Sequence, residues 1–251
     1  MTGVFLREVL TQQRLFWRSR EAAFFTFLLP ILFLVLLGSV YGDDDEIDGI
    51  RASTYLLAGL LGYGVVATAF AALAITLVLR RESGVLKRVR GTPLPTPVYL
   101  GAVISSTLVV IALETISQLL VGHFLLDADL PAAPFSFALA LLLGAVTFAA
   151  LGLAFTGAVR SSEGSSAAVN AVYLPLTFIS GVFFSVDALP GFLQAIAEVS
   201  PLTYLLNLIR STLVEGEGLT AAPDDVLVLV IWGLAGIVVA TRVFRWEPRE
   251  V

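Results

Sequence analysis

The sequence predicts an all-α polytopic membrane protein with six transmembrane helices. An N-terminal amphipathic interface helix precedes them, a re-entrant helical hairpin sits before the last span, and both termini are placed in the cytoplasm. Three observations carry this expectation. Of the 251 residues, 57% are hydrophobic and only 14% charged, against about 25% charged in soluble domains. Mean hydropathy is +0.92, more apolar surface than one water-soluble core can bury, so lipid must solvate part of it. The remaining charges cluster in short segments between long apolar runs.

Residues 1–21 read as the interface helix. Phe5, Leu6, Val9, Leu10, Phe16 and Trp17 share one face, and Arg7, Thr11, Arg14 and Arg18 share the other. Such a helix lies in the membrane–water boundary with its Arg side chains toward anionic head groups or a partner. A membrane span needs about 20 apolar residues. Residues 22–41, 53–79, 98–126, 135–159, 167–184 and 226–244 meet that need or approach it. The first run follows an Arg-rich arm and precedes an acidic tract instead of a small-residue cleavage site, so it reads as a retained span. Gly59, Gly62 and Gly64 let helices approach the second span closely. Pro175 in the fifth is tolerated where neighbours satisfy the freed carbonyl.

Residues 188–215 are apolar but broken at Pro190, Gly191 and Ser200-Pro201, leaving halves too short to cross. Ser200 followed by Pro201 has the form of an N-cap and first helical position. With Phe192 and Tyr204 these residues define an outer re-entrant hairpin. The whole chain, 1–251, is then a single membrane domain.

Charge sets the orientation, because Lys and Arg accumulate on cytoplasmic loops. With six spans, thirteen of the fifteen basic residues fall on one side, leaving Arg51 and Arg210 on the other. The opposite side carries most of the acids: Asp43, Asp44, Asp45, Glu46, Asp48, Asp127, Asp129 and six more from Asp187 to Asp225. A seventh span would put Arg242, Arg245 and Arg249 outside.

The chemistry classes narrow quickly. The chain has no Cys and one His, which excludes thiolate sites and makes a metal centre improbable. It has no G-x-x-x-x-G-K-[ST] loop to cradle a nucleotide phosphate. Glu114 lies mid-span in LETISQLLVGHF, with Gln118 one turn on along the same face. A carboxyl at that depth marks either a substrate cavity or a packing hydrogen bond between helices. As a functional group it would fit a proton-coupled secondary transporter, or, with His123, an intramembrane lipid-modifying enzyme.

The loop between the second and third spans, RRESGVLKRVRGTPLP (80–95), is basic enough to raise the question of nucleic acid. Its position makes the charge mostly topogenic, so no nucleic acid partner is expected. The charge bias leaves one feature unexplained. Val85, Leu86 and Val89 form an apolar ridge on a short helix, with Lys87, Arg88 and Arg90 around it. Gly91 and Thr92-Pro93 stop that helix. The pattern suits a plug for a groove on a partner.

Two stretches resemble one family. RESGVLKRVRGTPLPTPVYL (81–100) is similar to the cytoplasmic loop of type 2 ABC exporter permeases. SGVFFSVDALPGFLQAIAEVSPLTYLLNLIRS (180–211) resembles the outer re-entrant region of the same permeases. The order of parts matches over nearly the whole chain. The resemblance implies a membrane subunit without its own ATPase site, binding no cofactor directly. ATP and Mg would be used by a partner ATP-binding cassette subunit, and two permease chains, identical or similar, would pair. Arg81, Glu82, Val85, Leu86, Lys87, Arg88, Val89 and Arg90 would form the coupling loop, flanked by the interface helix. The implied cargo is a drug-like molecule or lipid leaving through a bacterial cytoplasmic membrane. The outer loops are short and hold no large domain, unlike those of larger members.

Overall fold

The computed structural model describes residues 2–41, 45–159 and 161–247. Asp43, Asp44, Arg160 and Arg249 of the charge pattern lie outside the described residues. The chain is almost wholly helical: α1 Thr2–Arg18, α2 Arg20–Gly38, α3 Ala52–Glu82, α4 Val85–Arg90, α5 Thr96–Leu126, α6 Pro134–Phe155, α7 Ser165–Ile179, α8 Gly191–Ala197, α9 Pro201–Glu215 and α10 Pro223–Val243. A two-residue antiparallel hairpin, Glu46–Ile47 with Ile50–Arg51, adds a scrap of sheet to the all-α expectation.

Among the described residues five helices are long and apolar enough to cross a membrane: α2, α3, α5, α6 and α10. The expected fifth span is shorter than the sequence suggested. Helix α7 has 15 residues, about 22 Å at 1.5 Å per residue, against a hydrocarbon core of about 30 Å. Pro175 lies inside it, and the helix stops four residues later.

The segment expected as a re-entrant hairpin forms two helices of unequal length. Helices α8 and α9 meet at a 78° bend. At that bend Ser200 Oγ accepts a hydrogen bond from Leu202 N at 3.2 Å, and Pro201 takes the first helical turn, as an N-cap serine followed by proline should. Phe192 and Pro190 on the first arm are exposed, and the Tyr204 hydroxyl donates to the Glu198 carbonyl across the bend at 2.6 Å. The second arm is no surface element. Leu202, Leu205, Leu206, Leu208, Ile209 and Leu213 have no solvent exposure, so α9 packs into the bundle between α3, α6 and α10.

Helix α3 is the hub of the packing. It touches α2 and α5 along one side and α6, α7 and α9 along the other. Its glycines sit at those contacts, where side chains would not fit. A Cβ on Gly59 would stand 1.9 Å from the Val182 carbonyl oxygen, and one on Gly62 would stand 2.4 Å from Leu206 Cδ2. Halfway along, Val66–Ala72 is wound as a π-helix, and the Ala69 and Phe70 carbonyls lie 3.0 Å from where a Cβ on Gly152 of α6 would be. Helix α10 packs on α6 in the same way, with Gly233 against Thr147 and Gly236 against the Ala150 backbone. The Thr147 hydroxyl donates to the Leu229 carbonyl at 3.1 Å across that contact. Small residues and interhelical hydrogen bonds are what hold helices together in lipid, where apolar burial drives little.

The two outside basic residues have local jobs. Arg51 pairs with Asp129, which also accepts from the Thr54 hydroxyl at 2.9 Å. Arg210 stacks over the Tyr55 ring at 3.9 Å, and both side chains donate to the Gly181 carbonyl. Neither is a free surface charge that would weigh against the orientation.

Gly59→Ala is expected to destabilise the protein by about 1–3 kcal/mol, because the clash is with backbone that cannot step aside. Gly3→Ala, with nothing within 4 Å of the added carbon, should leave stability unchanged. Thermal unfolding of both variants in detergent checks the contrast.

Candidate functional site

The short helix α4 sits just beyond the end of α3, after a turn at Gly84, which takes φ +70. That left-handed conformation favours glycine. Gly91, expected to end α4, is its C-cap and keeps a helical φ of −75. Thr92, also expected at the stop, adds a hydrogen bond from its hydroxyl to the Val89 carbonyl at 2.6 Å.

The ridge on α4 faces the opposite way from the sequence expectation. Leu86 is wholly buried in the hydrophobic core, and Val85 and Val89 are half-buried, Val89 packing on that core. The ridge therefore seats α4 on its own chain and is not free to plug a partner's groove. What projects outward is charge: Lys87, Arg88 and Arg90 are exposed. Arg90 approaches Glu247 at 3.9 Å, with both side chains more than half exposed, so the pairing contributes little.

Arg81 also differs from its expected place in a docking surface. It is 2% exposed. Its Nη1 donates to the Thr156 carbonyl at 2.9 Å, Nη2 to the Val159 carbonyl at 2.8 Å, and Nε to Glu82 Oε1 at 2.8 Å. The two carbonyls lie just past the C-terminal end of α6, where the helix dipole is negative and favours a cation. A buried guanidinium is tolerable only when its donors are satisfied, and here they bolt the end of α3 to the end of α6. Glu82 is half-buried and engaged in the same clamp. The residues of this loop thus divide: Arg81, Glu82, Leu86 and Val89 fix it on the bundle, and Lys87, Arg88 and Arg90 project outward.

Helix α1 flanks this region along α5. Gln12, not an apolar residue, is its buried residue, and Gln13 Nε2 donates to the Ser106 carbonyl and hydroxyl at 2.8 and 3.0 Å. Phe5 lies 3.5 Å from where a Cβ on Gly101 would be, and Phe16 and Trp17 pack on each other and on Phe27 of α2. Arg7, Arg14 and Arg18 are exposed, as are Leu6, Leu10 and Trp17. The amide pair Gln12-Gln13 was the signal for docking through a polar edge, and an amphipathic wheel does not display it.

Glu114 and Gln118 occupy a packed crossing of α5 with α3. Glu114 is 2% exposed. Its carboxylate accepts from Thr68 Oγ1 and from Gln118 Nε2, both at 3.2 Å. A Cβ on Gly64 would come within 2.4 Å of Glu114 Oε1, so no room remains there for a substrate. His123 does not join it: the ring Nδ1 is 3.1 Å from the Ala128 carbonyl. The pair acts as a hydrogen-bonded rivet between helices, and the two residues needed for an enzyme do not converge.

Comparison with known proteins follows the same lines. A family model for ABC-2 type transporters matches residues 6–214. The chain is 27% identical over 221 residues to the inner membrane transport permease YadH of Escherichia coli, covering 86% of this chain and 81% of that one. It is 24% identical over 202 residues to the putative transport permease YvfS of Bacillus subtilis, covering 79% and 81%. Nodulation protein J of Rhizobium leguminosarum is 32% identical over 100 residues, covering 40% of this chain and 38% of that one.

Arg81→Gln should lower stability by about 3 kcal/mol, since it leaves buried acceptors unpaired. Arg88→Gln on the exposed face should stay within about 0.5 kcal/mol of wild type. Denaturant unfolding of the two variants reads the difference. Glu114→Gln, which keeps size and hydrogen-bonding capacity, should leave transport unchanged, and vesicle uptake assays check this.

Proposed function

The chain belongs to the ABC-2 type transporter family, and from that premise we propose that it is the membrane-spanning permease subunit of an ATP-driven exporter. A separate ATP-binding cassette subunit hydrolyses ATP with Mg, and two permease chains, identical or similar, enclose the path. In this reading the chain crosses the bacterial cytoplasmic membrane six times, with α7 as the fifth crossing and α8–α9 as the outer re-entrant hairpin. Both termini and α4 then face the cytoplasm, and α1 lies in the inner interface. The name of the Escherichia coli relative, an inner membrane transport permease, agrees with that membrane.

The observation that carries the reading is the build of α4. A helix seated by buried Leu86, and followed from a clamped Arg81, cannot move independently of α3 and α6. Pressure on its exposed Lys87, Arg88 and Arg90 would therefore reach two spans at once. Those three cations suit an acidic patch on the ATPase subunit.

The cargo is amphiphilic or hydrophobic, a drug-like molecule or a lipid. This is supported by the apolar spaces between helices. One of about 430 Å³ lies among α3, α6, α7, α9 and α10, lined by Phe70, Phe148, Phe155, Val172 and Trp232. Another of about 470 Å³ lies between α5 and α6.

Lys87→Glu with Arg88→Glu should reduce the ATPase subunit that co-purifies with this chain, and ATP-driven transport with it, at unchanged levels of inserted permease. Undiminished co-purification and transport would show that the contact lies elsewhere. Leu86→Asp, by contrast, is expected to unseat α4 and lower the amount of folded protein.

A further inference from the structure

Beyond transport, a cavity of about 250 Å³ lies where α1, the start of α2, α3 and α5 meet. Its walls differ from those of the other interhelical spaces. Arg80, Thr76 and Thr68 of α3 line it, together with Gln12 of α1 and Ser106 and Thr107 of α5. Arg80 and Thr68 are twelve residues apart, about 18 Å along the helix axis. The cavity therefore runs from the end of a span inward along it, at membrane depth.

Polar side chains in that position are costly unless something polar fills the space between them. The charge points to the filler. Arg80 makes one recorded hydrogen bond, from Nη1 to the neutral Tyr99 hydroxyl at 3.0 Å. Among the described residues it forms no ion pair, and none of those lining the cavity is acidic. The neighbouring carboxylates are engaged: Glu8 accepts from Gln12 at 2.6 Å and Glu82 from Arg81. The Thr68 and Thr107 hydroxyls donate to Glu114 and to the Val103 carbonyl, and Ser106 accepts from Gln13. But a guanidinium with unused donors beside the Thr76 hydroxyl is a phosphate-recognising set. The remaining walls, Phe16, Leu73, Val103 and Val110 among them, are apolar, as a ligand with a hydrocarbon portion requires.

We infer that this cavity binds the phosphate head group of an anionic phospholipid from the leaflet that α1 lies against. Arg80 and the Thr76 hydroxyl hold the phosphate, and α1 covers it through Gln12. The lipid ties the interface helix to α3 and α5 whether or not ATP is being hydrolysed.

Native mass spectrometry of the full chain in detergent, titrated with phosphatidylglycerol and without any ATPase subunit, tests this. The lipid itself is the readout, so the outcome does not depend on the transport reading. One phosphatidylglycerol should be retained per chain. Arg80→Gln should weaken binding about tenfold, the loss of a charge-assisted contact. Arg242→Gln, at an exposed cation on α10, should bind like wild type, and Arg80→Lys, which keeps the charge and loses the forked donors, should bind between wild type and Arg80→Gln. Thr76→Val preserves the helix and should still weaken binding, which keeps the test decisive if Arg80→Gln does not fold. Equal retention of zwitterionic phosphatidylcholine, displacement by excess inorganic phosphate, or wild-type binding by folded Arg80→Gln or by Thr76→Val would each overturn the proposal.

Discussion

Close approach to the buried helix α3 is the constraint on which the rest of the structure depends. In lipid, apolar surface gains little by meeting other apolar surface, so helices associate where backbones can come near and hydrogen bonds can form. Gly59, Gly62 and Gly64 supply the first condition against Val182, Leu206 and Glu114. Thr68 and Glu114 supply the second. Each contact belongs to a different part of the fold: the turn after α7, the buried helix α9, and the long helix α5. Removing the glycines would push all three away from one axis.

That axis also joins the two faces of the molecule. From Gly59 beside Val182 to Arg81 at the carbonyl clamp, α3 runs about 33 Å as one helix. The π-helical stretch Val66–Ala72 interrupts its regular winding midway, and such stretches are where helices adjust. A load on α4 would thus be shared between α6, through the Thr156 and Val159 carbonyls, and the outer hairpin, through α3. The exposed cations of α4 lie above the buried apolar ridge, so a push on them would be carried by a helix already seated on its own chain.

Much of this was legible in the sequence because lipid imposes simple rules. Run length placed α2, α3, α5, α6 and α10, and the Ser200-Pro201 pair placed the bend of the hairpin to the residue. The three glycines of the second span announced its crowded position. What the sequence concealed is direction. Val85, Leu86 and Val89 form the same ridge whether they face a partner or their own chain, and only the position of α4 on the bundle decides that they face inward. Arg81 and Arg80 are identical as adjacent members of a basic run, yet one is clamped by carbonyls and the other lines a cavity. Glu114 signalled importance by its depth, but the space left by Gly64 is filled by its own carboxylate. Helix α9 read only as too short to cross, and its burial was hidden because burial depends on neighbours that a single segment does not reveal.

The central claim is that the outward face of α4 lies in the cytoplasm and is covered by an ATPase subunit. The chain has no cysteine, so Arg88→Cys introduces a single thiol at that face. Labelling with a membrane-impermeant maleimide, compared between inverted and right-side-out vesicles with and without the ATPase subunit, measures both parts of the claim. Labelling confined to inverted vesicles, and suppressed when the ATPase is bound, is the result the account predicts. Labelling from the outside, or labelling indifferent to the ATPase, would contradict it.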